Sequence, residues 1–109
     1  MSRDAGLEEL IRQELGERSG LSEKPMFGGL AFLLDGHLLC GARNDGMLVR
    51  LGKDNDGWAL AIDGIELMVM GDRQMNGWVR AGAKAYGDDA LRKRLLDAAL
   101  AYVLSLPPK

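Results

Sequence analysis

Glycine-containing turns divide the stretch from Met26 to Leu51 into three apolar runs, and this pattern constrains the fold most. Asp35-Gly36 separates the first two runs. A two-residue type I′ turn needs positive φ at both positions, which Asp and Gly tolerate best. Asn44-Asp45-Gly46 separates the second and third runs and suits a three-residue hairpin loop with glycine in the left-handed conformation. The stretch therefore predicts an antiparallel three-strand meander that the rest of the chain must cover.

The segment before the meander predicts a helix and then a polar connector. Apolar residues recur at the spacing of one helical face, at Leu7, Leu10, Ile11 and Leu15. Gly16 or Gly20 ends this helix. The polar stretch 19–25 is expected to connect the helix to the first strand, with Pro25 favouring extended backbone at Lys24.

The segment after the meander predicts a short helix, two strands and a long final helix. Asp54, Asn55 or Asp56 is expected to cap the short helix over 58–62. Strands are predicted over 65–70 and 77–81, with a loop over 71–76. Asp88 or Asp89 caps the final helix, which Pro107-Pro108 ends. The sequence thus predicts an α+β fold, a mostly antiparallel β-meander sheet of about five strands flanked by N-terminal and C-terminal helices, in the order α-β-β-β-α(short)-β-β-α.

The final helix carries an unusually wide apolar arc. Its main stripe and its extension comprise Leu91, Leu95, Leu96, Ala98, Ala99, Leu100, Tyr102, Val103 and Leu106. An arc of this width exceeds what a helix lying on one sheet needs. It predicts contact with both the sheet and the first helix, or a homodimer interface, since two-fold dimers are the commonest oligomers.

Charge and targeting signals limit the classes of function. The net charge is −2, with 14 basic and 16 acidic residues, which argues against an autonomous electrostatic nucleic-acid binder. The N-terminus lacks the apolar core of a signal peptide, and no apolar run is long enough to span a membrane. The single cysteine, Cys40, is expected to be buried and inert. These features predict a soluble cytoplasmic protein that does not bind membranes.

The sequence offers few residues that could support catalysis or metal binding. His37 is the only histidine, and no serine, cysteine or carboxylate is tied to it by a recognisable motif. Asp54-Asn55-Asp56-Gly57 lacks the full calcium-loop pattern, so helix capping explains it better. No catalytic residue, cofactor or metal ion is therefore expected.

Two sets of residues are candidates for contact with a partner. Gly28-Gly29 is expected to lie inside the first strand, where paired glycines mark a bulge or a close backbone approach; an anion cradle is the weaker alternative. Together with Phe27 and Trp78 this segment is the candidate interaction surface. Arg43, Arg50 and Arg80 are the second set. On a solvent-facing sheet surface they would form a platform for single-stranded nucleic acid, although a solvated charged face is favoured.

Several blocks resemble the N-terminal domain of the TfoX/Sxy competence regulators. These blocks are Met26-Phe27-Gly28-Gly29 with Asp35-Gly36, the run 46–51, the run 71–79 and the run 99–109. The resemblance implies an α+β domain with a mostly antiparallel sheet and a link to competence genes for natural DNA uptake. Longer regulators carry a second, helical domain, which this chain is expected to lack, so residues 1–109 are predicted to form a single domain. No catalytic residue carries over from the family.

Three hypotheses of function follow. The first is a non-enzymatic regulatory or protein-interaction module of this family, with an unknown protein partner. The second is nucleic-acid binding through Arg43, Arg50 and Arg80, which should weaken steeply with salt. The third is a small-molecule binder or enzyme with a pocket between sheet and helices.

Overall fold

Six antiparallel strands form one sheet in the order β1-β2-β3-β4-β6-β5 of the computed structural model, which describes residues 4–26 and 28–107. The strands are β1 (Leu21–Met26), β2 (Gly29–Leu34), β3 (His37–Arg43), β4 (Gly46–Arg50), β5 (Ile65–Met70) and β6 (Arg73–Ala81). The helices are α1 (Ala5–Leu15), α2 (Gly57–Leu60), α3 (Ala83–Tyr86) and α4 (Asp89–Leu104). The predicted α+β class, with an antiparallel sheet between terminal helices, is confirmed. Among the described residues, no helix has the length and apolar character needed to cross a membrane.

The main core lies between one face of the sheet and the helices. Alternate strand residues point into it, including Phe32, Val49 and Val79, each with no exposed surface. α1 contacts β3, α4 contacts β3 and β4, and α3 contacts β4 and β6. Asp4 caps α1 and Asp88 caps α4, each by accepting a hydrogen bond at 3.0 Å from a backbone N–H of the first turn.

The hairpin signals of the meander are partly confirmed. Asp35 and Gly36 have φ values of 52° and 83° between the paired Leu34 and His37, as the predicted two-residue turn requires. The second turn is tighter than predicted. Gly46 already pairs with Arg43, so the loop holds two residues and not three.

The predicted polar connector over 19–25 is wrong, because Leu21–Met26 forms the edge strand β1. Proline and exposed charges are tolerated at a sheet edge, where they also discourage pairing with other chains. Arg12 of α1 fixes this strand by donating two hydrogen bonds of 2.8 Å to the Glu23 carboxylate. The polar composition of β1 reflects its outer edge, which is exposed to solvent, and for this reason the sequence did not indicate a strand.

The predicted loop over 71–76 is also wrong, since β6 begins at Arg73 and extends the 77–81 strand. Leu67 pairs with Val79 and Val69 pairs with Gln74, so four residues of β6 lie opposite Met68 alone. Such an insertion bends a strand. The bent β5–β6 hairpin brings Met70 within 3.9 Å of the Arg43 guanidinium on β3, across the outer face of the sheet.

A second, smaller core forms under this bent hairpin. Leu48, Met68 and Trp78 are its buried members, and Leu38, Met70 and Met75 pack around them. Leu38 reaches it because Phe32 pairs with Cys40 while Leu33 pairs with Leu38, which makes Leu39 an extra residue of β3. For this reason the simple alternation of a strand is broken in β3, and the adjacent residues Leu39 and Cys40 both lie in the main core.

The Gly28-Gly29 segment is a turn and not the interior of a strand. Gly28 has a φ of 73°, and Gly29 starts β2 opposite Met26. The predicted bulge is therefore wrong, whereas the predicted close backbone approach is confirmed: a Cβ atom on Gly29 would overlap the carbonyl oxygen of Ala42 on β3. Phe27 lies outside the described residues.

Gly29→Ala should lower the free energy of unfolding by about 1–3 kcal/mol, because the new methyl group must displace the β3 backbone. Gly57→Ala is the matched control, since no atom lies within 4 Å of its Cβ position. Urea unfolding followed by circular dichroism measures both variants. Equal stabilities of the two variants would show that the close approach at Gly29 imposes no constraint.

Cys40 should resist alkylation in the folded protein. Its side chain has no exposed surface, and burial raises the pKa of its thiol far above the ordinary range. Treatment with iodoacetamide across a urea series, read by mass spectrometry, should show modification that follows the unfolding curve. Complete modification without urea, at the rate found for the unfolded chain, would contradict this prediction.

Candidate functional site

Of the three arginines predicted to contact nucleic acid, two lie close together and the third lies apart. Arg43 and Arg80 converge on Asp45, in the β3–β4 turn. Arg43 donates to both carboxylate oxygens, at 2.9 and 2.7 Å, and Arg80 donates to the backbone carbonyl at 2.9 Å. Arg80 also pairs with Glu66 of β5. The pKa of the Asp45 carboxyl is lowered, chiefly by its hydrogen bonds from Arg43. Carboxylates therefore offset much of the positive charge that these two arginines bring to the sheet.

Arg50 lies apart from this pair. Its guanidinium donates to the carbonyl oxygen of Leu38 at 3.2 Å and lies 5.5 Å from the centre of the Tyr102 ring on α4. The continuous line of three arginines envisaged from the sequence is thus divided between two environments.

The candidate interaction residues are also separated. Trp78 is only 7% exposed and packs in the second core. Since β3 and β4 lie between β2 and β6, Gly29 and Trp78 are separated by three strand spacings, at least about 14 Å, and by a further offset along the strands. An indirect link exists, because the Gly29 backbone abuts Arg43, Arg43 contacts Met70, and Met70 packs in the cluster of Trp78.

The β5–β6 hairpin exposes apolar surface near its turn. Val69 is 49% exposed, although it neighbours the half-buried Met70. Successive strand residues face opposite sides, so Val69 lies on the side of the hairpin facing away from the second core. Arg43 contacts Met70 at the hairpin tip and lies beside Gly29. Val69, Met70, Arg43 and the Gly28-Gly29 turn are called here the hairpin surface.

Sequence reasoning missed an open cleft between the 51–58 segment and α4. It encloses about 600 Å³ and has a mixed lining. Trp58 and Tyr102 supply aromatic surface, Leu51, Ala98 and Ala101 supply apolar surface, and Asp54, Asn55 and Gly57 supply polar groups. A volume of this size is typical of small-molecule sites.

Arginine side chains hold the two aromatic rings of the cleft. The Arg94 guanidinium lies 4.1 Å from the centre of the Trp58 ring, and Arg50 faces Tyr102 as described above. In cation–π contacts of this kind the guanidinium is attracted to the face of the ring. Nothing in the sequence links Trp58 to Tyr102. In the segment that precedes Trp58, Asp54 has a positive φ of 70°, which is unusual for a residue other than glycine.

The only histidine of the sequence lies beside the end of the described chain. The His37 Nε2 atom lies 2.5 Å from the carbonyl oxygen of Pro107. Within residues 4–26 and 28–107, no three His, Cys, Asp or Glu side chains are grouped to hold a metal ion. The cleft lies between the 51–58 segment and α4 and opens at the surface.

Comparison with known proteins gives one result. The model of the TfoX N-terminal domain matches residues 13–102, which include every strand, most of α4 and the end of α1. No curated protein and no solved structure matches the chain. The match covers most of the 109 residues, and we conclude that the chain belongs to the TfoX N-terminal domain family.

Proposed function

We propose that this chain is a non-enzymatic regulatory module, similar in role to the N-terminal domain of competence regulators, that acts by binding a protein partner. The family match over residues 13–102 carries the proposal. We place its action in the cytoplasm, because a free buried thiol such as that of Cys40 suits a reducing compartment.

The charge arrangement favours a protein partner over nucleic acid. The net charge is −2, and Asp45 and Glu66 engage Arg43 and Arg80. Nucleic-acid surfaces require cations that are available to phosphates. A protein partner requires instead an apolar contact with a polar rim.

The hairpin surface meets that requirement. Val69 supplies exposed apolar area, and Arg43 with Asp45 supplies a polar rim next to the Gly28-Gly29 turn. Trp78 lies beneath this surface and supports it through Met70. We infer that the hairpin surface contacts the partner.

Val69→Asp should reduce partner binding by about fivefold or more, since it places a charge at the apolar centre of the contact. The measurement is quantitative mass spectrometry of proteins captured from an extract of the host cell. Leu104→Asp is the matched control, because Leu104 is 60% exposed on α4 and lies outside the hairpin surface. Circular dichroism should show both variants folded.

The same variants test regulation. A strain lacking the gene should have altered transcript levels for DNA-uptake genes, restored by Leu104→Asp and not by Val69→Asp. Capture of the same proteins by both variants would refute the hairpin surface. Unchanged transcripts together with capture of no protein by the unmodified chain would refute the proposed function.

Single- and double-stranded DNA and RNA should show no mobility shift with this protein at low salt, because Arg43 and Arg80 are already engaged by carboxylates. Asp45→Asn is the informative variant, since it removes the charge bound by Arg43 while preserving shape. A shift of the unmodified protein that added salt abolishes, and that Arg80→Gln weakens, would instead establish nucleic-acid binding.

A further inference from the structure

The cleft between Trp58 and Tyr102 combines features that no part of the proposed function uses. Its apolar and aromatic lining provides stacking surface, and the Asp54 and Asn55 side chains supply hydrogen-bonding groups at one side. Neither of these two side chains has a hydrogen-bond partner within the described part of the chain. They are therefore available to a ligand.

The charges beside the cleft select the kind of ligand. Arg12, Arg43, Arg80 and Arg92 form ion pairs with carboxylates. By contrast, Arg50 and Arg94, which face the aromatic rings of the cleft, form no ion pair with any described residue. Two guanidinium groups without carboxylate partners favour an anionic group and disfavour a cationic one.

Backbone geometry holds the cleft open before a ligand arrives. The N–H groups of Leu51 and Gly52 both donate to the carbonyl of Gly77, at 2.7 and 3.1 Å. The Tyr102 ring packs against Gly52, where a Cβ atom would be 2.5 Å from the ring. A site fixed in this way loses little entropy on binding.

We propose that this cleft binds a small planar heteroaromatic compound that carries an N–H donor and an anionic group. The ring stacks against Trp58 and Tyr102, the donor bonds to Asp54 or Asn55, and the anion pairs with Arg94. The site is independent of the hairpin surface, so its failure would leave the proposed function untouched.

Four probes separate these contributions. Indole-3-acetate has the ring, the donor and the anion; indole lacks the anion; tryptamine replaces it with a cation; acetate lacks the ring. Binding is measured by nitrogen–proton NMR of the uniformly labelled full chain. The chain has two tryptophans, so the indole N–H signal of Trp78 is an internal control for that of Trp58.

Indole-3-acetate should shift the Trp58 signal saturably and leave the Trp78 signal in place. Indole should bind about tenfold more weakly, the change expected from losing one charge-assisted hydrogen bond. Tryptamine should bind more weakly than indole, and acetate should give no saturable shift.

Two variants and one control complete the test. Arg94→Gln should make indole-3-acetate and indole bind equally, whereas Lys93→Gln, on the same exposed helix turn, should preserve their difference. Ala101→Phe should block all ring probes by filling the cleft. The proposal is overturned if no ring probe shifts the Trp58 signal at millimolar concentration, if tryptamine binds best, or if Arg94→Gln leaves the preference for the anion unchanged.

Discussion

The contact between Gly52 and Gly77 is the constraint on which both surfaces of this domain depend. Two backbone N–H groups converge on the carbonyl of Gly77, and a Cβ atom there would lie 2.7 Å from the backbone of Gly52 and Lys53. Gly77 also has a φ of 87°, which side chains rarely adopt. Only glycine satisfies both conditions at position 77. The bend of β6 and the path of the segment after β4 are therefore fixed where these two backbones meet.

The two sides of that point serve different purposes. Next to Gly77, Trp78 turns into the second core and holds the bent hairpin against the outer face of the sheet. Next to Gly52, the Tyr102 ring packs on bare backbone and forms one boundary of the cleft. The hairpin surface and the cleft are therefore separate in position but share a backbone support. A side chain at either glycine would disturb the hairpin, the cleft or both.

The sequence predicted those elements whose signals are local. The Asp35-Gly36 turn and the strand over 65–70 follow from residues adjacent in the chain, and both are found. β1 was missed because an edge strand with Pro25 and exposed charges has no apolar alternation to detect. The start of β6 was missed because its polar residues belong to a hairpin that leaves the main sheet. The cleft was beyond sequence reasoning, since Trp58 and Tyr102 meet only through tertiary packing.

The wide apolar arc of α4 has an explanation within the chain. Its buried residues lie in the main core, and the helix contacts β3, β4, α1 and α3. A helix between a sheet and other helices packs in more than one direction, so it needs more apolar circumference than a helix on a sheet alone. The width of the arc is thus explained by the first of the two predicted alternatives, in which the final helix contacts both the sheet and the first helix. Most of the large apolar side chains of the arc are covered within the chain, and the homodimer stays a prediction.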